Sequence, residues 1–252
     1  GGPGRLRRNI TSMPHSTLAI TKNMTGPPVF LDPPTSRGWF YPRPGAAAPA
    51  TAYYWIIDGI QSTRTNTLFI VAMVIENTKD GGFVQLGSDL IAVPRIAQQF
   101  QKKDPATWTW NSTRIPFSGG NCSWNEGLAL EAGYLYMLGS CNQEARIARV
   151  TEDDAATLAL RGGGGVSLVQ FWSGAGDAGE GWVADGRRAV ALFASPFSEG
   201  TLKYNALIGW HVFLCQAFDA QIRVAYTGPL GQLSNGGVLE GEGAGGAGVP
   251  VM

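Results

Sequence analysis

Two acidic residues stand in similar surroundings. Asp58 lies in residues 55–60, WIIDGI, and Glu126 lies in residues 124–128, WNEGL, so each follows a tryptophan and precedes a glycine. Hydrolysis of a glycosidic bond needs two carboxyl groups, one to protonate the leaving oxygen and one to act as base or nucleophile. Asp58 and Glu126 are the candidate catalytic pair. The alternative for each is a turn or cap role without chemistry. That turn role is also predicted for Asp89, Asp104, Asp153, Asp154 and Asp185.

Aromatic and amide side chains form a second candidate set. Sugar rings stack on tryptophan and tyrosine, while their hydroxyl groups bind carboxylates and amides. The candidate substrate-binding residues are Trp55, Trp124, Trp172, Tyr204, Asn205 and His15. Core packing is the alternative for the aromatic residues, and a structural role is the alternative for the histidine.

The elements that must position these residues are β-strands. Short runs rich in β-branched and aromatic residues alternate with Gly, Pro and Asn clusters, which predicts an all-β fold. The predicted strands cover residues 16–20, 52–57, 67–75, 82–93, 134–139, 146–150, 166–171, 189–193, 201–207, 211–216 and 221–226. A sandwich, a barrel or a propeller can be built from strands at this spacing.

A weak internal repeat favours the propeller. Residues 55–60 and 124–128 each precede a strongly apolar strand, and residues 204–207 offer a third copy. Such repeats are typical of propeller blades, in which a polar inner strand is followed by an apolar second strand. Equivalent inner-strand positions in neighbouring blades bring Asp58 and Glu126 towards the same end of the axis. Chance similarity within a sandwich remains the alternative.

Composition excludes several classes of partner. The 252 residues carry 19 basic and 19 acidic side chains, so no attraction to nucleic acid is indicated. No run reaches the roughly 20 apolar residues of a membrane span. His15 and His211 lack a metal-ligand spacing with cysteines, so we assign no metal and no cofactor.

Glycosylation sequons and cysteines point to the secretory pathway. The sequons stand at Asn9, Asn23, Asn111 and Asn121. Of the three cysteines, Cys122 and Cys141 flank a predicted hairpin at a separation that a disulfide can close, which leaves Cys215 as a buried thiol. We therefore expect a secreted or extracellular glycoprotein.

Several motifs, in this order, resemble the uncharacterised, glycoside-hydrolase-like five-bladed β-propellers, relatives of the furanosidase-type glycosidases. The motifs are MPHSTLAI at 13–20, YWIIDGI at 54–60, WNEG at 124–127, YLYMLGS at 134–140, RIARV at 146–150, FWSG at 171–174, GWV at 181–183, YN at 204–205 and GP at 228–229. The resemblance covers residues 10–233, which we take as the propeller domain. It implies that Glu126 is the general acid, that Asp58 orients it or tunes its pKa, and that the base lies in the first blade.

Two departures from this family pattern concern the ends of the domain. The Gly-Asp strand that opens the first blade is missing and the last blade is incomplete, so we expect a fragment, truncated at both ends. Residues 236–252 are predicted to form a Gly-rich disordered tail.

Three functions stay open at this point. The chain is a carbohydrate-active protein that acts as a glycoside hydrolase, a non-catalytic glycan-binding protein, or a cell-surface propeller that binds other proteins. The fold cannot separate them, because propellers serve many functions. An acidic pair about 5 to 10 Å apart across an open cleft favours hydrolysis, whereas buried carboxylates favour binding or structure.

Overall fold

The described residues of the chain form an all-β structure of antiparallel sheets. The computed structural model describes residues 18–20, 29–31, 39–42, 49–102, 107–115, 122–158, 168–174, 181–194, 197–217, 222–233 and 238–241. Its strands are β1 (Leu18–Ile20), β2 (Val29–Leu31), β3 (Tyr53–Ser62), β4 (Thr67–Asn77), β5 (Phe83–Pro94), β6 (Asn111–Arg114), β7 (Cys122–Glu131), β8 (Tyr134–Cys141), β9 (Glu144–Thr151), β10 (Gln170–Trp172), β11 (Trp182–Val183), β12 (Phe193–Ala194), β13 (Phe197–Asn205), β14 (Trp210–Ala217), β15 (Ile222–Thr227) and β16 (Val238–Gly241). Two short α-helices, α1 (Ile96–Gln99) and α2 (Glu152–Ala156), and 3-10 turns at Gly186–Arg188 and Leu230–Gln232 complete the described elements.

Three sheets built in chain order make up most of the fold. Sheet I has the order β3-β4-β5-β6, and sheet III has the order β13-β14-β15-β16. Sheet II runs from β7 through β8, β9 and β10 to β11, with β12 paired to β9. The first strands β3, β7 and β13 lie against one another, so the three sheets meet along their first edges.

Local sequence explains the strands and their turns. The β4 segment TLFIVAMVIEN is apolar on both faces, and most of its side chains are buried. The β7–β8 hairpin turns at Ala132 and Gly133, and the β8–β9 hairpin turns at Asn142 and Gln143. All four turn residues have positive φ, the geometry of the two-residue turns that match strand twist.

The hydrophobic core fills the spaces between adjacent sheets. Between sheets I and II, Phe69 and Leu90 pack with Leu128 and Met137. Between sheets II and III, Leu138 packs in a second cluster with Leu202 and Phe213. Of the three first strands β7 is the most buried, because it lies against both β3 and β13, and its polar residues Asn125 and Glu126 are therefore inside the molecule.

Several sequence predictions differ from the structure. The motif around Trp124 belongs to a strand, β7, that the list of predicted strands omits. The predicted strand 189–193 is wrong, because a 3-10 turn ends there and β12 begins only at Phe193. Within the predicted tail, Val238–Gly241 pairs with β15, and the other residues of 236–252 lie outside the described residues.

The third repeat copy is also wrong in register. Tyr204 and Asn205 end the strand β13, and residues 206–209 form the turn that follows it. The first strand of sheet III is therefore β13 itself, and its Thr201 and Lys203 take the inner positions.

None of the helices among the described residues is long and apolar enough to cross a membrane.

Candidate functional site

Asp58 lies where the three sheets meet. It stands at a β-bulge in β3, where the pairing with β4 shifts by one residue after Ile56. Its carboxylate accepts hydrogen bonds from the backbone N–H groups of Gly59 and Leu128, each at 2.8 Å. Bulges re-aim a side chain, and this one directs the carboxylate of sheet I onto the backbone of sheet II.

Sheet III supplies the cation for this carboxylate. Lys203 Nζ lies 2.8 Å from Oδ1 and 2.7 Å from Oδ2 of Asp58, and Thr201 Oγ1 donates to Oδ2 at 3.3 Å. Lys203 Nζ also donates to the carbonyl oxygen of Leu128 at 3.1 Å. The N–H and C=O of one β7 residue are thus both held by side chains of the adjacent sheets.

Four donor groups occupy the Asp58 carboxylate, whose side chain is only 8% exposed. A carboxylate held in this way is suited to orienting a neighbour. It has little capacity left to act as a base or nucleophile on a bound substrate.

Glu126 lies on β7, two residues before Leu128. It sits in a second bulge. Between the paired positions Ser123–Ser140 and Gly127–Leu138, β7 advances by four residues while β8 advances by only two. Glu126 is 4% exposed. Asp58 therefore reaches the strand that carries Glu126, and both acidic residues are buried.

Glycines allow β7 and β13 to approach closely beside Glu126. A Cβ atom on Gly127 would lie 2.7 Å from the backbone nitrogen of Leu202. A Cβ atom on Gly200 would lie 3.1 Å from the carbonyl oxygen of Glu126. Neither position has room for a side chain, so the glycine after Glu126 serves strand packing and not a turn.

A polar chain links sheets I and II beside Glu126. Asn125 is fully buried, and its Oδ1 accepts from Ser88 Oγ at 2.7 Å and from Ser123 Oγ. Ser123 Oγ in turn accepts from Gln85 Nε2 at 2.8 Å. The bulge that holds Glu126 is thereby anchored to β5.

The turn prediction for Asp89 is wrong. Asp89 is buried in β5, where it accepts from Tyr54 OH at 2.7 Å and pairs with Arg114. Burial, with the Asp89 carboxylate beside the phenol, raises the pKa of Tyr54 well above its usual value. Arg114 also donates to Leu86 O at 2.8 Å, so this buried triad ties β3, β5 and β6 together.

Among the predicted sugar-binding tryptophans, only Trp55 reaches the surface. Trp55 is 37% exposed and its ring packs edge-on against Phe83 at 5.6 Å. Trp124 and Trp172, also predicted to bind sugar, are buried in the core, which fits the alternative of core packing. Trp124 packs between Gly139 and Phe171, and Trp172 packs on Trp182.

Tyr204 and Asn205 are the last two residues of β13. Both are exposed at the end of β13, where the Asn205 side chain accepts from Leu207 N–H at 3.0 Å and stabilises the turn. His15 lies outside the described residues. The predicted binding set therefore does not converge on one cleft in the part of the chain that can be described.

The remaining candidate positions concern covalent chemistry. Cys122 and Cys141 face each other in the β7–β8 register and are joined by a disulfide. Asn111 is exposed on β6, which suits a glycosylation acceptor. The other sequons, Asn9, Asn23 and Asn121, lie outside the described residues.

Sequence reasoning missed Lys203 and Thr201. A Thr-x-Lys spacing within a strand places both side chains on one face, and this was the available signal. Within the described segments, no group of three or more His, Cys, Asp or Glu side chains is arranged to hold a metal ion.

Comparison of the sequence with models of known protein families finds no match. Comparison with curated proteins finds no match either.

Proposed function

We propose that this chain belongs to a secreted carbohydrate-active protein with a β-propeller fold of the five-bladed, glycoside-hydrolase-like type. The three antiparallel sheets support this architecture, because each is a meander in chain order whose first strand lies at a common junction. Propeller blades follow one another in the same way around an axis.

The proposed chemistry assigns different roles to the two carboxyl groups. Glu126 is the proton donor to the leaving oxygen, and Asp58 is a positioning residue. The observation that carries this assignment is the hydrogen bond from Leu128 N–H to Asp58 Oδ2, which joins Asp58 to β7 two residues after Glu126. The base is assigned, by the resemblance, to a first-blade strand.

Access to Glu126 sets a condition on this proposal. A general acid must come within hydrogen-bond distance of the glycosidic oxygen, and Glu126 is 4% exposed. Buried carboxylates favour binding or structure over hydrolysis, so hydrolysis by this pair requires a substrate-bound conformation in which the junction around β7 opens.

The test is a screen of the protein on aryl furanosides, aryl pyranosides and polysaccharides. Loss of a general acid lowers the rate by about 10² to 10⁴-fold. We expect Glu126→Gln to lower the rate of hydrolysis by this factor on any substrate that the wild type cleaves. The reduction should be smaller for substrates with aryl leaving groups, which need little protonation.

Glu144→Gln is the matched control, because Glu144 is a half-exposed glutamate on β9 that pairs with Arg146. It is expected to keep the wild-type rate. Absence of hydrolysis across the screen, or full activity of Glu126→Gln, would remove the hydrolase assignment.

A second candidate, non-catalytic glycan binding, is favoured by the exposed aromatic residues. Phe83 is 58% exposed beside Trp55, and Tyr53 OH donates to Asn77 Oδ1 at 3.0 Å at the same end of sheet I. Aromatic rings beside an amide and a hydroxyl suit sugar stacking with hydrogen bonding.

Glycan-array binding separates this candidate from hydrolysis. We expect Trp55→Ala to weaken binding at least tenfold if this end of sheet I holds sugar, while Phe100→Ala leaves it unchanged. Phe100 is a suitable control because it is 51% exposed and packs on Trp108 in a different place. Equal binding by both variants would exclude this surface.

A further inference from the structure

His211 is a buried imidazole between two sheets. It lies on β14 and is 2% exposed. Its ring packs on Tyr204 at 5.2 Å, and its Nδ1 lies 3.4 Å from the carbonyl oxygen of Gly228. This weak contact is the one hydrogen-bonding interaction of the ring that the described residues provide.

The other ring nitrogen has no such contact. Among the described residues nothing forms a hydrogen bond with the buried Nε2 of His211. A cavity of about 20 Å³ adjoins the ring, with room for about one water molecule. Its lining includes Leu138 and Ile147 of sheet II and Leu202 and Phe213 of sheet III.

We propose that His211 makes the contact between sheets II and III acid-sensitive, so that protonation of its imidazole loosens sheet III from sheet II. An imidazolium needs an acceptor or water at both nitrogens. The cavity wall is apolar and gives a single water molecule few polar partners, so the charged ring is better accommodated when the sheets separate and more water enters.

Apolar surroundings favour the neutral ring, and one nearby carboxylate opposes them. The facing charged group is Glu131 of β7, and the other titratable neighbours are Tyr204 of β13 and Tyr226 of β15. Strands β8 and β9 contribute apolar side chains. Glu131 is itself bound by the backbone N–H of Gly231 at 2.9 Å.

The pKa of His211 follows this balance. Burial lowers it below its usual value, and the Glu131 carboxylate and the Gly228 carbonyl oppose that shift only in part. Because the folded-state pKa is depressed, the unfolded chain binds the proton more readily. The contribution of His211 to stability is therefore complete above the ordinary histidine pKa of about 6.5 and is lost as the pH falls below it.

Urea unfolding at pH 7.5 and pH 5.0 tests this proposal. One proton taken up on unfolding lowers the folding equilibrium constant by up to about tenfold per pH unit. We expect His211→Gln to lose that part of the acid destabilisation, because glutamine stays neutral. His15→Gln, which removes the other histidine of the chain, is expected to keep the wild-type pH dependence.

Two direct measurements keep the test decisive if His211→Gln does not fold. Imidazole NMR of the wild type, assigned with His15→Gln, is expected to show His211 titrating below its ordinary pH. Amide protection factors, which correct for the slower intrinsic exchange at low pH, are expected to fall between pH 7.5 and pH 5.0 more in β13 to β15 than in sheet I. An ordinary titration with unchanged protection factors, or an unchanged pH dependence in a folded His211→Gln, would overturn the proposal. None of these outcomes depends on glycosidase activity.

Discussion

At the scale of single residues, the pairing of Asp58 with Lys203 dominates the junction. Asp58 is buried, and Lys203 is 43% exposed. Removing one member of a buried ion pair leaves the other charge without its partner. This lowers the free energy of unfolding by more than the intact pair contributes to it. The pair therefore makes the junction intolerant of substitution.

We predict that Lys203→Met lowers the free energy of unfolding by about 2 to 4 kcal/mol, because the Asp58 carboxylate stays buried without its cation. Urea denaturation measures this. Arg187→Met is the matched control, since Arg187 pairs with Asp185 but is 91% exposed, and its loss should leave the free energy of unfolding nearly unchanged. Equal effects of the two variants would contradict a special role for Lys203.

At the scale of elements, the close approach of β7 and β13 depends on glycine. Gly127 lies in the middle of a strand, where a glycine usually weakens the structure. Here it lets the Leu202 backbone come within contact distance. The approach is what allows Lys203 to reach the Leu128 carbonyl across the two strands.

Gly127→Ala is expected to lower the free energy of unfolding by about 1 to 3 kcal/mol, since the added methyl group meets backbone atoms that cannot rotate away. Thermal unfolding followed by circular dichroism checks this. Gly228→Ala is the control, because no atom lies within 4 Å of the Cβ it would add. A neutral Gly127→Ala would show that the strands can separate freely.

At the scale of the whole molecule, one carboxylate connects all three sheets. The hydrogen bonds of Asp58 reach β7 and β13 from β3. Asp89 is also buried, but its hydrogen bonds with Tyr54 and Arg114 both stay within sheet I. Loss of the first should therefore affect the molecule more widely than loss of the second.

Hydrogen exchange followed by mass spectrometry tests this difference. We predict that Asp58→Asn accelerates amide exchange in the first strands of all three sheets, because the amide cannot replace the ion pair. Asp89→Asn should accelerate exchange mainly within sheet I. Exchange confined to sheet I in both variants would show that the sheets are coupled by their apolar cores alone.

The sequence by itself determined the features that depend on neighbours in the chain. Apolar runs such as β4 specify strands, because burial on both faces follows from composition. The repeated motif also indicated that Asp58 and Glu126 lie on comparable inner strands, and in the structure both stand on the first strands of their sheets.

Only the tertiary structure decided which partners these residues meet and how exposed they are. Lys203 reaches Asp58 across a sequence separation of 145 residues, and no local pattern encodes such a pairing. Trp124 and Trp172 share their residue type with Trp55, yet they are covered because neighbouring strands pack over them. Partner choice and burial are properties of the assembled sheets, since both depend on which strands come to face each other.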